Sequence, residues 1–337
     1  MKHPIQVITA HPEKYNIYVG IGSNIYVINS KTGEKIANWS LPESNTIQEK
    51  ETIKNKPIIQ HIRLTSVDPL FKVFVGDKFG DVYSFSLNRD SEAMNTDTTS
   101  LISPNLVLGH ISMITDMIVT HDSKYLITSD RDEHIKISYL PKCLVIKGYC
   151  LGHHEFVSKL CILSWNPDIL ISGGGDPYLF VWNWEDQKLL HKIDIINLFD
   201  EKLQKMNMIN KETCILEKEK IAIIGIQEIP QKKEIAVIIE KAPLLLIFGD
   251  LELKKSTLKI IEMLPANPLG IALDKNGILW ISLDNSNNDD ISLIYLYPKN
   301  EETKNIEEKI NKILAVEVDY KFYPIYDFVQ LRKRRKN

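Results

Sequence analysis

No stretch of this 337-residue chain approaches the roughly 18 consecutive apolar residues that a membrane-spanning helix requires. The N-terminal MKHPIQVITAHPEKY lacks the apolar core of a signal peptide. Cysteine is scarce: there are four, Cys143, Cys150, Cys161 and Cys214, and no two form a Cys-x-x-Cys pair. A zinc site of the common kind is therefore not expected, and the thiols read as buried and reduced. A soluble protein of the cytosol or nucleus is the expectation. An excess of charge of one sign is also missing, since 41 Lys and Arg face 44 Asp and Glu for a net charge of −3. That balance excludes a surface coated in cations for wrapping nucleic acid. One local exception closes the chain, where Arg332, Lys333, Arg334, Arg335 and Lys336 run together. Such a run suits phosphate binding or a nuclear address, and equally a solvated, frayed tail.

Catalytic signatures are absent too. The chain holds neither Gly-x-Ser-x-Gly nor His-Glu-x-x-His. The glycines of GGGDP, Gly173–Pro177, precede the strand-like YLFVW, whereas a phosphate loop must open a helix, so they are expected to serve a crowded turn. Asp130, Asp132 and Glu133 lie among Arg131, His134 and Lys136, which neutralise them. They do not resemble a proton-sharing carboxylate pair in an apolar pocket.

What the chain does contain is a succession of short apolar, β-rich runs broken by Gly, Asp, Asn and Pro, as in NIYVGIGSNIYVIN and ILISGGGDPYLFVWNW. The one helix expected is 194–211. Two segments repeat in register: Gly109-His110 returns as Gly152-His153 after 43 residues, and Asp132 and Ser138 return as Asp176 and Trp182 after 44. This period and pattern mark the WD repeat, whose unit is a four-stranded propeller blade. We expect an all-β propeller of seven blades over 1–331, with a basic tail at 332–337. Its units begin near 5, 58, 107, 150, 213 and 264, and a seventh is assembled around Lys312–Leu331. Polar segments near 40–57 and 88–105 read as mobile inter-blade loops.

The repeat has a physical use. A carboxylate accepting from an imidazole, continued by a hydroxyl and an indole N–H, satisfies polar groups inside a blade. On this reading His153, Ser172, Asp176 and Trp182 form one structural network, and His110, Thr128 and Asp132 form another, left incomplete by Ser138 in place of Trp. The tryptophans are expected in the core.

Five stretches carry more than the generic pattern: KFGDVYS (78–84), LGHISMITD (108–116), ITSDRDEHIKIS (127–138), LGHHEFVS (151–158) and GGGDPYLFVWNW (173–184). With the C-terminal YPIYDFVQLRK (323–333), they resemble the non-catalytic WD-repeat subunit of the tRNA (guanine-N7)-methyltransferase, in its fungal form. The match covers about 72–185 and the tail. The resemblance implies a chain with no cofactor and no methyltransferase activity of its own. It implies a heterodimer with a catalytic subunit, which holds S-adenosylmethionine and methylates a guanine in the tRNA variable region. A nuclear location follows, with the cytoplasm as a second. Contacts with that subunit would fall on Asp132, Glu133 and Lys136, with Arg131 beside them. Asp132 would brace the hairpin from inside, leaving Glu133 and Lys136 to pair directly. Phosphates of tRNA would meet the tail. The rival reading is a general propeller adaptor for chromatin or a ubiquitin ligase; a propeller hydrolase lacks a site.

Overall fold

The computed structural model describes residues 7–10, 14–21, 24–40, 59–67, 70–77, 80–87, 105–205, 216–217, 221–252, 256–284, 292–314 and 328–332. Nearly all regular structure is antiparallel sheet. The first sheet runs β1 (Val7–Ala10), β2 (Asn16–Ile21), β3 (Asn24–Asn29) and β4 (Lys35–Ser40). The second holds β5 (Ile59–Val67), β6 (Leu70–Asp77), β7 (Asp81–Leu87) and β8 (Asn105–Gly109). The third holds β9 (Ile114–Val119), β10 (Tyr125–Asp130), β11 (Ile135–Tyr139) and β12 (Ile146–Cys150). The fourth holds β13 (Val157–Leu163), β14 (Asn166–Gly174), β15 (Tyr178–Asn183) and β16 (Lys188–Asp194). After helix α1 (Ile195–Lys205) comes the fifth sheet: β17 (Ile223–Ile229), β18 (Glu234–Ile239), β19 (Leu244–Gly249) and β20 (Thr257–Met263). The sixth has three strands, β21 (Pro268–Leu273), β22 (Leu279–Leu283) and β23 (Ile294–Tyr297), and helix α2 (Glu301–Leu314) follows. Each sheet is a meander of neighbours in sequence, which is how a blade is built.

The chain packs as two compact units. One takes Met1–Asn45 with Ile193–Gln330, the other Thr46–Lys192 with Leu331–Asn337. In the first, Ile306, Ile310 and Leu314 of α2 join Ile17, Val19, Trp280 and Leu296 in one apolar cluster. The period of these residues in EETKNIEEKINKIL is helical, and Asn300 and Thr303 cap the helix reciprocally, each backbone N–H donating to the other's side chain at 2.9 and 2.8 Å. In the second unit, Phe180, Trp182 and Trp184 pack with Ile127, Ile135 and Ile137 between the third and fourth sheets.

Most of the seventh unit expected around Lys312–Leu331 lies outside the described residues. Of Lys312–Leu331, residues 312–314 close α2 and Phe328–Leu331 form a 3-10 turn; 315–327 lie outside the described residues. Among the described residues there are six sheets. The expected helix at 194–211 is present as Ile195–Lys205, capped by Asp194 Oδ1, which accepts from Asn197 N at 3.0 Å. The expected loops near 40–57 and 88–105 lie, apart from Ser40 and Asn105, outside the described residues, as do Cys214 and Lys333–Lys336. No helix among the described residues is long and apolar enough to cross a membrane.

Candidate functional site

The fourth sheet contains the complete polar network. Trp182 Nε1 donates to Ser172 Oγ at 2.8 Å, Ser172 Oγ lies 2.7 Å from His153 Nε2, and His153 Nδ1 lies 2.7 Å from Asp176 Oδ2. All four residues are buried. The bonds have one self-consistent direction. The indole donates to Ser172, whose hydroxyl donates to Nε2, and Nδ1–H donates to the carboxylate. This order requires a neutral imidazole. Burial supplies it, lowering the His153 pKa against the opposing pull of Asp176. Asp176 is held below the ordinary carboxylate range: burial pushes it up, but the bond from His153 and those from the His154 and Glu155 backbone outweigh that. The preceding glycines serve this turn. A Cβ on Gly174 would lie 1.9 Å from Phe156 O. Gly175 N donates to the same oxygen at 2.9 Å. Close backbone approach, with no phosphate loop, explains GGGDP.

The third sheet repeats the network with a different carboxylate. His110 Nε2 lies 2.7 Å from Thr128 Oγ1, and His110 Nδ1 lies 3.0 Å from Oδ2 of Asp130. Asp132, expected in this role, is outside it. Its carboxylate turns to solvent beside Arg131 Nε, at 3.6 Å. The cause is strand geometry: Asp130 is two residues past Thr128 on β10 and so faces the same side, whereas Asp132 has already left the strand. In the fourth sheet, the glycine-rich turn brings a residue four positions on back to that face.

Asp130 also shapes the turn that follows. Its Oδ1 accepts from the backbone N–H of Asp132 at 2.9 Å and of His134 at 3.0 Å. Glu133 takes the left-handed conformation at φ 78°, and Arg131 N is tied to Met113 O at 3.0 Å. The result is a charged turn fixed from below and open above. The side chains of Arg131 and His134 are each 49% exposed, and that of Asp132 is 32% exposed.

Lys136, expected on the open face, is instead buried at 7% exposure, with Nζ donating to Gly109 O at 2.6 Å. In register, Lys136 lies opposite Thr128 as Phe180 lies opposite Ser172. It therefore occupies the place where Phe180 packs on the His153 ring, with centroids 3.8 Å apart. Desolvation lowers the ammonium pKa, opposed by the charge of Asp130. Two rows along, Ser138 stands where Trp182 completes the other network, and its buried Oγ has no hydrogen-bond partner among the described residues.

At the C-terminus, Arg332 does not begin a free tail. Nη2 donates to Gly175 O at 2.5 Å, and Nη1 lies 3.6 Å from Glu155 Oε1. Its guanidinium is thereby committed to the fourth sheet. Sequence reasoning also missed Asp116. This buried carboxylate accepts from Met117 N at 3.0 Å and from Leu160 N at 2.9 Å, joining the third sheet to the fourth. A second missed pair is Trp280 Nε1 and Asp274 Oδ2, 3.2 Å apart. Trp184, expected in the core, is buried there, with Nε1 donating to Pro167 O at 2.7 Å. Cys143, Cys150 and Cys161 are buried thiols outside any disulfide, and burial pushes Cys150 up to about 12. No cluster of three or more His, Cys, Asp or Glu able to hold a metal occurs among the described residues.

Comparison with known proteins agrees with this architecture. Residues 93–305 match the family model of the tRNA methyltransferase TRM82 WD40 domain. The chain is 36% identical over 246 residues to the tRNA (guanine-N(7)-)-methyltransferase non-catalytic subunit TRM82 of Kluyveromyces lactis, covering 69% of this chain and 53% of that one. It is 30% identical over 373 residues to the protein of the same name from Vanderwaltozyma polyspora, covering 98% and 79%. The match thus spans about half of the first relative's length. Among solved structures, a chain of a mitotic checkpoint complex matches with a TM-score of 0.53 at 13% identity, covering 83% of this chain and 74% of that one, a likeness of fold alone. The chain is an all-β, WD-repeat propeller protein and belongs to the TRM82 WD40 family.

Proposed function

We propose that this chain is the non-catalytic subunit of a tRNA (guanine-N7)-methyltransferase. It binds and stabilises the catalytic subunit and thereby supports methylation of a guanine in the tRNA variable region. The observation that carries this reading is the turn at 131–134, held open to solvent by bonds from its backbone N–H groups to the buried Asp130, in a chain whose relatives are named as non-catalytic subunits. A turn fixed in advance loses little conformational entropy on binding, and its paired charges select a partner's register.

Roles divide by depth. Arg131, Asp132 and Glu133 meet the partner at the surface. Lys136 acts from behind them, as a desolvated cation whose one hydrogen bond among the described residues is to a neutral carbonyl. A partner carboxylate brought close would compensate its burial. S-adenosylmethionine sits on the partner, tRNA is engaged through the complex, and the complex works in the nucleus. With Arg332 committed to the fold, Lys333, Arg334, Arg335 and Lys336 are the residues left for tRNA phosphates.

The test is purification of the native chain with whatever accompanies it, together with guanine-N7 methylation of tRNA in cells lacking it. A methyltransferase partner and lost methylation support the reading. A chromatin or ubiquitin-ligase assembly, with methylation intact, refutes it.

A further inference from the structure

The end of the third sheet that carries the charged turn also carries large apolar side chains in water. Ile111 is fully exposed at 106%, Leu151 is 63% exposed and Tyr149 is 39% exposed. The sheet explains their grouping. Residues 110–113 lead into β9, and the backbone bond from Arg131 N to Met113 O joins this segment to the turn. On the other side, Cys150 of β12 pairs with Ile135 of β11, so Leu151 follows alongside His134. Tyr149, opposite Lys136 in register, sets its ring 6.3 Å from that of His134. The charged turn is thus flanked by apolar groups, Ile111 on one side and Leu151 with Tyr149 on the other.

Single exposed apolar residues are ordinary, but this grouping is not explained by packing among the described residues. Protein interfaces concentrate their binding strength in a few apolar or aromatic anchors, with polar contacts supplying register. We infer that Ile111 and Leu151 are the apolar anchors of the docking surface for the catalytic subunit, gripping on both sides of the turn, with Tyr149 as the aromatic wall behind Leu151. The assignment rests on the docking reading above and adds to it the residues that hold the complex together, as distinct from those that align it. The occupant is the catalytic subunit because the anchors are continuous with the turn and the relatives are named as subunits. The matching surface on that subunit must carry two apolar pockets or ridges about a charged centre.

The distinction is measurable through salt. Contacts of the charged turn weaken as ionic strength rises, whereas apolar anchors do not. The experiment titrates the full chain with its catalytic subunit by calorimetry at about 0.05 and 0.5 M salt. It compares wild type with Ile111→Ser, Leu151→Ser, their double variant, and Leu144→Ser. Leu144 is 81% exposed and lies beyond the opposite end of β12, so it serves as control. Because Ile111 is fully exposed, its replacement leaves no cavity, and unchanged thermal melting verifies the fold.

The expected result is Kd raised roughly tenfold by each anchor variant and about 100-fold by the pair, by the same factor at both salts, with Leu144→Ser unchanged. If the anchor variants bind like wild type while a change in the turn weakens binding, the docking reading stands and the anchors are overturned. If wild type does not bind the catalytic subunit, both fail. A self-associated chain that the anchor variants disperse would make a second copy the occupant and overturn the inference.

Discussion

Asp130 Oδ2 lies 3.0 Å from His110 Nδ1, while the other oxygen of the same carboxylate accepts from two backbone N–H groups of the exposed turn. One buried group therefore completes the interior of the third sheet and sets the shape of the surface above it. Its pKa is lowered, because the bonds from His110 and His134 N outweigh the burial that pushes it up. Removing it strands a buried imidazole and two turn amides together. Asp130→Ala should cost about 3 kcal/mol and loosen the turn, whereas Asp132→Ala, at the surface, should cost under about 1 kcal/mol. Urea unfolding of the two variants checks this order, and equal losses would contradict it.

Acid should unfold the chain in two stages. The pKa values of His110 and His153 are lowered from 6.5, chiefly by burial. The unfolded chain then takes up protons before the folded one as pH falls through about 6.5, so stability drops from there downward. Asp130 and Asp176 are lowered from 3.8, so their contribution is present above that value and is lost as pH falls through the still lower folded values. Denaturant midpoints measured from pH about 7.5 to about 5 should decline. A constant midpoint over that range would count against neutral, buried histidines.

Ser138 is a local defect with a simple remedy. Its Oγ is buried without a hydrogen-bond partner among the described residues, and such a hydroxyl costs roughly 1 kcal/mol or more. Ser138→Ala should raise stability by about 1 kcal/mol. A loss of stability on this change would mean that the hydroxyl is satisfied.

Gly174 distinguishes a crowded turn from a ligand loop. Its Cβ would meet Phe156 O at 1.9 Å, so Gly174→Ala should cost about 3 kcal/mol or more. Thermal melting without any ligand reads this directly, and an unaltered melt would remove the packing explanation of GGGDP.

Charge reversal at Lys136 is a poor probe of docking. A carboxylate there would face Gly109 O and the charge of Asp130, so Lys136→Glu should unfold the sheet as well as weaken any complex. Lys136→Met keeps the stem and removes the charge. It should leave melting within about 1 kcal/mol of wild type and lower partner capture at least tenfold. Undiminished capture would exclude a role for the ammonium.

How much of this could be read from residues alone depended on what repeats. The fourth-sheet network of His153, Ser172, Asp176 and Trp182 was legible because a 44-residue period places each type in register. Counting that period back misassigned Asp132, because the third sheet ends its strand at Asp130 without the glycines that let a carboxylate fold back from four residues on. Helix α2 was missed although Asn300, Thr303 and the apolar series Ile306, Ile310 and Leu314 signal it. Burial of Lys136 was not signalled by Ile-Lys-Ile by itself, although the 44-residue period sets Lys136 in the place of the buried Phe180. Asp116 had no signal beyond its place in LGHISMITD, because its partner is 44 residues away.

The most direct measurement of the central claim is methyl transfer from S-adenosylmethionine to tRNA by the purified chain, by the catalytic subunit, and by the two mixed. The account predicts no transfer by this chain alone and sustained transfer by the mixture, well above that of the catalytic subunit by itself. Transfer by this chain alone, or a mixture no more active than the catalytic subunit, would contradict it.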